Sequence, residues 1–264
     1  MKRKKRIGFF ILLGFTWSII IFLVLPVIIS MVGSFSLAWH KSIFGPFTIE
    51  WYRYVLDLYA PVIRMSLQIV LFCVIIDIII GIPASYALVK KENKLTQLFE
   101  EILMMPIVVP GMAIAIALIQ THSFMRGYWY FILIGHVLFT LPFMVRTVSS
   151  TLRTFDFKVL EEEAASLGAN FINRFITIII PNLKRAIITG TMMVFTISMG
   201  EFNLTLFLFT PLNMTLPVGL YECYVSNRIE IGSAFTAIYF ILIIPVIVLA
   251  QYFGEERKEY IANQ

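Results

Sequence analysis

The run Met65-Ser66-Leu67-Gln68-Ile69-Val70-Leu71-Phe72-Cys73-Val74-Ile75-Ile76-Asp77-Ile78-Ile79-Ile80-Gly81-Ile82-Pro83-Ala84-Ser85-Tyr86-Ala87-Leu88-Val89 carries one charged residue, Asp77, in 25 positions. About 20 apolar residues at a rise of 1.5 Å each suffice to cross the hydrocarbon of a bilayer. In lipid the backbone must satisfy its own hydrogen bonds, which favours a helix. The run therefore predicts a membrane-spanning helix. Five more runs have the same character: Ile7–Val32, Ile102–Thr121, Tyr128–Val145, Ala186–Phe209 and Ile231–Phe253. Together they predict an all-α integral membrane protein, a six-span helical bundle. The alternating polar and apolar pattern of an outer-membrane barrel is absent.

Composition agrees. Of 264 residues, 59% are hydrophobic and 14% charged, with a mean hydropathy of +0.87. A soluble domain has about 45–50% apolar and about 25% charged residues, so this chain lacks the charge to build a water-facing surface. The net charge of +5 does not indicate nucleic acid. The bases cluster at the ends of apolar runs, as in Lys2-Arg3-Lys4-Lys5-Arg6 and Lys90-Lys91, where lipid headgroups meet them. Cys73 and Cys223 form no CxxC or Cys/His cluster, which argues against a disulfide scaffold or a zinc site. The first run is longer than the apolar part of a signal peptide and no small-residue cleavage site ends it, so it is expected to be a retained anchor.

Lys and Arg set the orientation. The basic N-terminus predicts an inside start. Lys90, Lys91 and Lys94 then fall in the second inside loop, and Arg153, Lys158, Arg174, Lys184 and Arg185 in the third. Segments 33–64 and 210–230, the latter with Glu222, Arg228 and Glu230, fall outside. Both termini are expected inside, including the tail Glu255-Glu256-Arg257-Lys258. Trp39, Trp51, Tyr52 and Tyr54 suit the outer membrane–water interface or, alternatively, a partner surface. Pro211, Asn213 and Pro217 argue against one continuous helix over 210–230.

The third inside loop reads Leu160-Glu161-Glu162-Glu163-Ala164-Ala165-Ser166-Leu167-Gly168-Ala169-Asn170-Phe171-Ile172-Asn173-Arg174-Phe175-Ile176-Thr177-Ile178-Ile179-Ile180-Pro181. Lys158 to Leu167 is rich in helix formers. Gly168 suits the left-handed residue that ends a helix, and Asn170 suits the N-cap of the next. Phe171, Phe175 and Ile178 make an apolar stripe at helical spacing, and Pro181 is expected to bend or restart the chain before the fifth span. Helix, glycine corner and second helix make a knob outside the lipid. By chemistry alone it is either a docking element or a surface helix pair whose stripe packs under the bundle.

This loop resembles the EAA loop of the permeases of type I ATP-binding-cassette importers. In that family an E-A-A stretch precedes a glycine, and an I-x-L-P-like ending follows at a spacing matched here by Gly168, Ile178, Ile180 and Pro181. Anchored on Gly168, the E-A-A positions fall on Glu162, Glu163 and Ala164, with a glutamate where the family has its middle alanine. Gly135-His136 through Pro142-Phe143 with Arg146, Leu152 and Phe155-Asp156, Pro83 before Lys90, and Met105-Pro106 with Pro110-Gly111 also look like family positions. The resemblance covers about residues 60–253. Within the family, Ser198-Met199-Gly200-Glu201-Phe202-Asn203-Leu204-Thr205 and Thr215-Leu216-Pro217-Val218 are similar to permeases for polyamines, aminoethylphosphonate-like compounds, opines, thiamine or ferric iron.

The resemblance implies an N-terminal span and outer loop over 1–60 and a core permease domain over 61–264, with the coupling loop at 156–183. It implies a chain in the cytoplasmic membrane that forms a solute pathway and is driven by separate ATPase subunits. A second permease, identical or different, and an extracytoplasmic solute-binding protein complete the assembly. No phosphate-cradling G-x-x-x-x-G-K-[ST] loop is present. The chain is thus expected to be no enzyme and to hold no cofactor, ATP and magnesium residing on the partner. Glu162, Glu163, Ala164, Gly168, Ala169, Arg174 and Pro181 are the expected coupling residues.

Charge inside the bilayer is expensive and marks function. Glu201 in the fifth span and Asp77 in the second are candidate pathway residues, with Asn203 and Thr205 as polar lining. Asp77 is expected to pair with a base or with His136, and His136 to pack and hydrogen-bond. Two acids in the spans suit a cationic cargo. The alternative reading is a secondary transporter or channel, which has no need for a glycine-cornered knob. A membrane enzyme finds no Asp/His/Cys constellation to support it.

Overall fold

The computed structural model describes residues 2–39, 41–42, 45–226 and 229–262; Arg228, counted above among the outer charges, lies outside them. The described residues are helical apart from connectors and one isolated bridge, Ser36 to Phe47. In chain order the helices are α1 (Lys2–Gly33), α2 (Glu50–Lys90), α3 (Lys94–Val108), α4 (Gly111–His122), α5 (Trp129–Leu152), α6 (Phe157–Ser166), α7 (Phe171–Arg174), α8 (Ile180–Gly200), α9 (Asn203–Leu208), α10 (Leu216–Val225) and α11 (Ile229–Ala262). Five helical stretches are long and apolar enough to cross a membrane, and a sixth crossing results if the bent pair α3–α4 counts as one.

The chain forms two units. The first comprises residues 1–60 and 220–241. Here the indole N–H of Trp51 donates to the Ser36 carbonyl (3.0 Å), and the backbone N–H of Trp39 donates to Glu230 (3.1 Å). Tyr59 meets Phe235 edge-on. The segment after α1, expected to be loop as far as residue 64, is helical from Glu50, and α2 runs on for 41 residues.

The second unit comprises residues 61–219 and 242–264, and its core is centred on α5. Gly81 of α2 and Gly190 of α8 both face Met144. A Cβ on either glycine would stand 2.7 Å from a Met144 side-chain atom, so both helices approach α5 closely because they lack one.

Two spans differ from expectation. The third, read as a single helix over Ile102–Thr121, is broken into α3 and α4, which meet at 103°. Val109 is extended (φ −79°, ψ 129°), as the residue before a proline prefers, and Pro110 has no N–H to continue the ladder. The fifth span, read as Ala186–Phe209, is helical from Phe171 but stops at Gly200. Glu201 there is extended (φ −71°, ψ 110°) before α9 begins.

Candidate functional site

The knob begins with α6. Its end is a complete glycine-terminated corner: Gly168 stands at φ +85°, its N–H donates to Ala165 O (2.9 Å), and the Ala169 N–H donates to Ala164 O (3.0 Å). These two bonds satisfy carbonyls that a helix end otherwise leaves open, and glycine adopts that φ without a Cβ penalty. Two residues on, the Asn170 side chain accepts the Asn173 N–H (2.8 Å) and starts α7.

The helix after the corner does not stop at Pro181. From Phe175 to Ile179 the ladder widens to a π turn, with Ile180 donating to Phe175. Pro181, which has no N–H, is then accommodated in the first turn of α8. The second half of the knob and the fifth span are therefore continuous, where a bend or restart was expected.

Of the stripe, Phe175 and Ile178 pack against the core, and Phe171, half-exposed, lies with Phe175 against the Tyr86 ring. Beside Phe171, the knob offers another set to solvent. Glu162 and Glu163 are exposed, beside Leu167 (89% exposed) and Ile172 (64%). Ala164 and Ala169 are half-buried beneath the corner. Arg174, read as an outward contact, turns back instead, its Nη1 donating to the Glu161 carbonyl (3.3 Å).

Glu161 is the residue that the sequence reading missed. It is 3% exposed, accepts a hydrogen bond from the Tyr86 hydroxyl at 2.6 Å and pairs with Lys90 at 3.1 Å. A signal for it existed: Glu161 stands four residues after Phe157, on the same helix face, and these two are the buried residues of α6. Beside the knob a cleft of about 470 Å³ opens between the ends of α2 and α5, lined among others by Glu92, Arg153, Asp156 and Lys158. Arg153 is held there by both oxygens of Glu100 (2.7 and 3.1 Å). That bond, with the charges of Glu100 and Glu92, keeps its guanidinium more firmly protonated than usual.

The polar residues of the spans fall into two groups. Asp77 is fully buried, and its Oδ2 accepts from Thr140 at 2.6 Å; Thr140 is also 3.1 Å from the Cys73 thiol. Its other oxygen has no partner among the described residues. Asp77 therefore meets neither a base nor His136, the partners expected for it. His136 instead crosses to the break in the fifth span, bonding Ser198 at the end of α8 and Thr205 in α9, both at 2.8 Å. Thr205 also donates to the Glu201 carbonyl (3.2 Å), so it accepts from Nε2 and leaves Nδ1 to accept from Ser198.

Glu201 sits in the break rather than mid-helix. Its carboxylate accepts the Leu204 N–H (2.7 Å) in the first turn of α9. A Cβ on Gly111, at the start of α4, would lie 3.3 Å from Glu201 Oε1. The breaks in the third and fifth spans thus meet at Glu201.

A family model described as "binding-protein-dependent transport system inner membrane component" matches residues 77–258, which include both breaks and the knob. The chain belongs to this family. The permease is 27% identical to the spermidine/putrescine transport system permease protein PotC of Escherichia coli (strain K12) over 251 residues, which cover 93% of this chain and 94% of PotC. It is 28% identical to the putrescine transport system permease protein PotI of the same strain over 227 residues, covering 80% and 77%. A protein of Salmonella choleraesuis (strain SC-B67) named for 2-aminoethylphosphonate transport, PhnV, is 26% identical over 246 residues. Among solved structures, a bacterial ABC transporter involved in import of the acidic polysaccharide alginate superposes with a TM-score of 0.74 at 19% identity, covering 95% of the permease and 97% of that chain. This likeness extends the assignment to the fold alone: an all-helical, multi-pass membrane permease of the type I importer kind.

Proposed function

We propose that the permease couples a partner ATPase to import of a small organic cation of the polyamine class. The observation that carries the docking part is the knob: a rigid glycine corner that exposes Leu167 and Ile172 beside Glu162 and Glu163. An apolar patch with acids at its edge suits a groove on a soluble partner. In this reading Ala164 and Ala169 allow close backbone approach, Gly168 holds the left-handed corner that presents the patch, Arg174 stiffens the corner from inside, and Pro181 sets the helix register behind it. The knob and both termini lie in the cytoplasm, as the placement of Lys and Arg favours.

The cargo class rests on PotC, which matches over nearly its whole length. Glu201, at the meeting of two broken spans, is the acid placed to meet a cation in the pathway, with Asn203 exposed beside it. Asp77, enclosed with Thr140 and Cys73, holds α2 to α5 within the transport core. A second permease completes the pathway, a solute-binding protein delivers cargo from outside, and ATP with magnesium is bound by the ATPase.

The test is co-expression with the ATPase, second permease and binding protein that this reading requires, followed by uptake of labelled spermidine, putrescine and 2-aminoethylphosphonate into vesicles. Uptake of a polyamine that stops in the Gly168→Asp variant, with the ATPase no longer co-purifying, is the expected result. Uptake persisting in that variant would refute the docking role, and uptake of the phosphonate alone would refute the cargo class.

A further inference from the structure

Two covalent routes attach the knob to the bundle: the turn 153–156 out of α5 and the continuous helix from Phe171 into α8. The turn does not by itself fix the direction of α6, which is short and buries two side chains, Phe157 and Glu161. A third attachment is non-covalent and comes from the last turn of α2. The Tyr86 ring lies against Phe157 on one side of the Gly168 corner and against Phe171 and Phe175 on the other, with centroids 5.3–5.9 Å apart. Its hydroxyl donates to Glu161 (2.6 Å) and accepts from Lys90 (2.5 Å), and Lys90 closes the triangle on Glu161 (3.1 Å).

Three consecutive glutamates open the motif, and the structure buries the first while leaving the next two in solvent. An apolar residue at 161 would pack beside Phe157 with less desolvation, because buried ion pairs seldom beat hydrophobic packing in stability. What the acid adds is direction: the Tyr86 hydrogen bond to Oε1 and the Lys90 ion pair are made in one orientation of α6 on α2, whereas greasy contacts admit several.

We infer that Glu161, Tyr86 and Lys90 are positioning residues that brace the docking knob on the end of α2, and that coupling of ATP hydrolysis to transport requires this brace. The inference rests on the reading of the knob as the ATPase socket.

The experiment uses the complete complex in proteoliposomes, with Cys73 and Cys223 replaced by serine and spin labels on cysteines at Lys91 and Ser166. Both labelled positions are exposed. Tyr86→Phe is the central variant because it keeps the ring contacts and removes the hydroxyl alone; Glu161→Ala, Lys90→Met and the conservative Lys90→Arg accompany it. The expected result is a narrow label-to-label distance distribution in the parent and in Lys90→Arg, and a broad one in the other three. Spermidine carried per ATP hydrolysed should fall about tenfold in those three, as losing a hydrogen bond to a buried charge implies, while the ATPase still co-purifies. Unchanged distance distributions overturn the inference, whatever the cargo proves to be. So does an unchanged transport-to-hydrolysis ratio, or loss of the ATPase from Tyr86→Phe, which would make the cluster part of the socket itself. Failure of the docking reading shows separately, as retention of the ATPase and of transport in Gly168→Asp.

Discussion

Replacing Gly168 by alanine isolates the backbone contribution of the corner. At φ +85° an L residue is strained, yet a Cβ built there meets nothing within 4 Å. The cost is therefore local to the backbone and not a clash with surrounding residues, about 1–2 kcal/mol for an L residue in the left-handed region. Reduced freedom of the unfolded chain returns at most about 1 kcal/mol. If the ATPase binds the native corner, its apparent affinity falls with the fraction of knobs that keep it. The ceiling on that loss is about 5- to 30-fold for 1–2 kcal/mol. Asparagine tolerates this conformation better than alanine, and valine worse, so the predicted order of affinity is Gly, Asn, Ala, Val. Titration of the purified ATPase onto the reconstituted permease variants measures it. Two results would refute the reasoning. A loss for alanine far beyond the ceiling would mean that the Cβ collides with the partner, and unchanged binding even for valine would mean that the corner takes no part in docking.

His136→Ala removes both bonds across the break in the fifth span and leaves the Ser198 and Thr205 hydroxyls buried; a loss of at least about 2 kcal/mol is expected, read as a lowered melting temperature in detergent. Glu201→Gln keeps an oxygen for the Leu204 N–H and removes the charge, so polyamine uptake should fall with little change in melting temperature, whereas Glu201→Ala should lower both. Gly190→Leu drives a side chain into Met144 and should destabilise by about 1–3 kcal/mol; adding Met144→Ala should restore part of that loss, and a double variant no better than the single one would contradict the packing described.

Hydropathy made the spans legible, because lipid admits few alternatives to a helix. Gly168 and Asn170 were legible because helix ends have specific chemistry. The break at Val109–Pro110 was less so, although Pro106, Pro110 and Gly111 all stand in the sequence: a hydropathy window sums transfer energies and ignores a missing N–H. The stop at Gly200 escaped because a hydropathy window is blind to backbone conformation, and with it the placement of Glu201 between helices. Partners across helices have no local signal. Nothing near Asp77 in sequence points to Thr140, and three adjacent glutamates look alike until the position of Phe157 shows which one faces inward.

The stretch from Phe171 to Gly200 is 30 residues of helix without a break. At 1.5 Å per residue it is a lever arm of about 45 Å, and a tilt of about 5° at the corner swings its far end by about 4 Å. That far end is where Glu201 and the first turn of α4 meet. A small rocking of the knob thus becomes a displacement about as wide as an alkyl chain at the place where the two broken spans close on each other, and none of it is lost in a flexible joint.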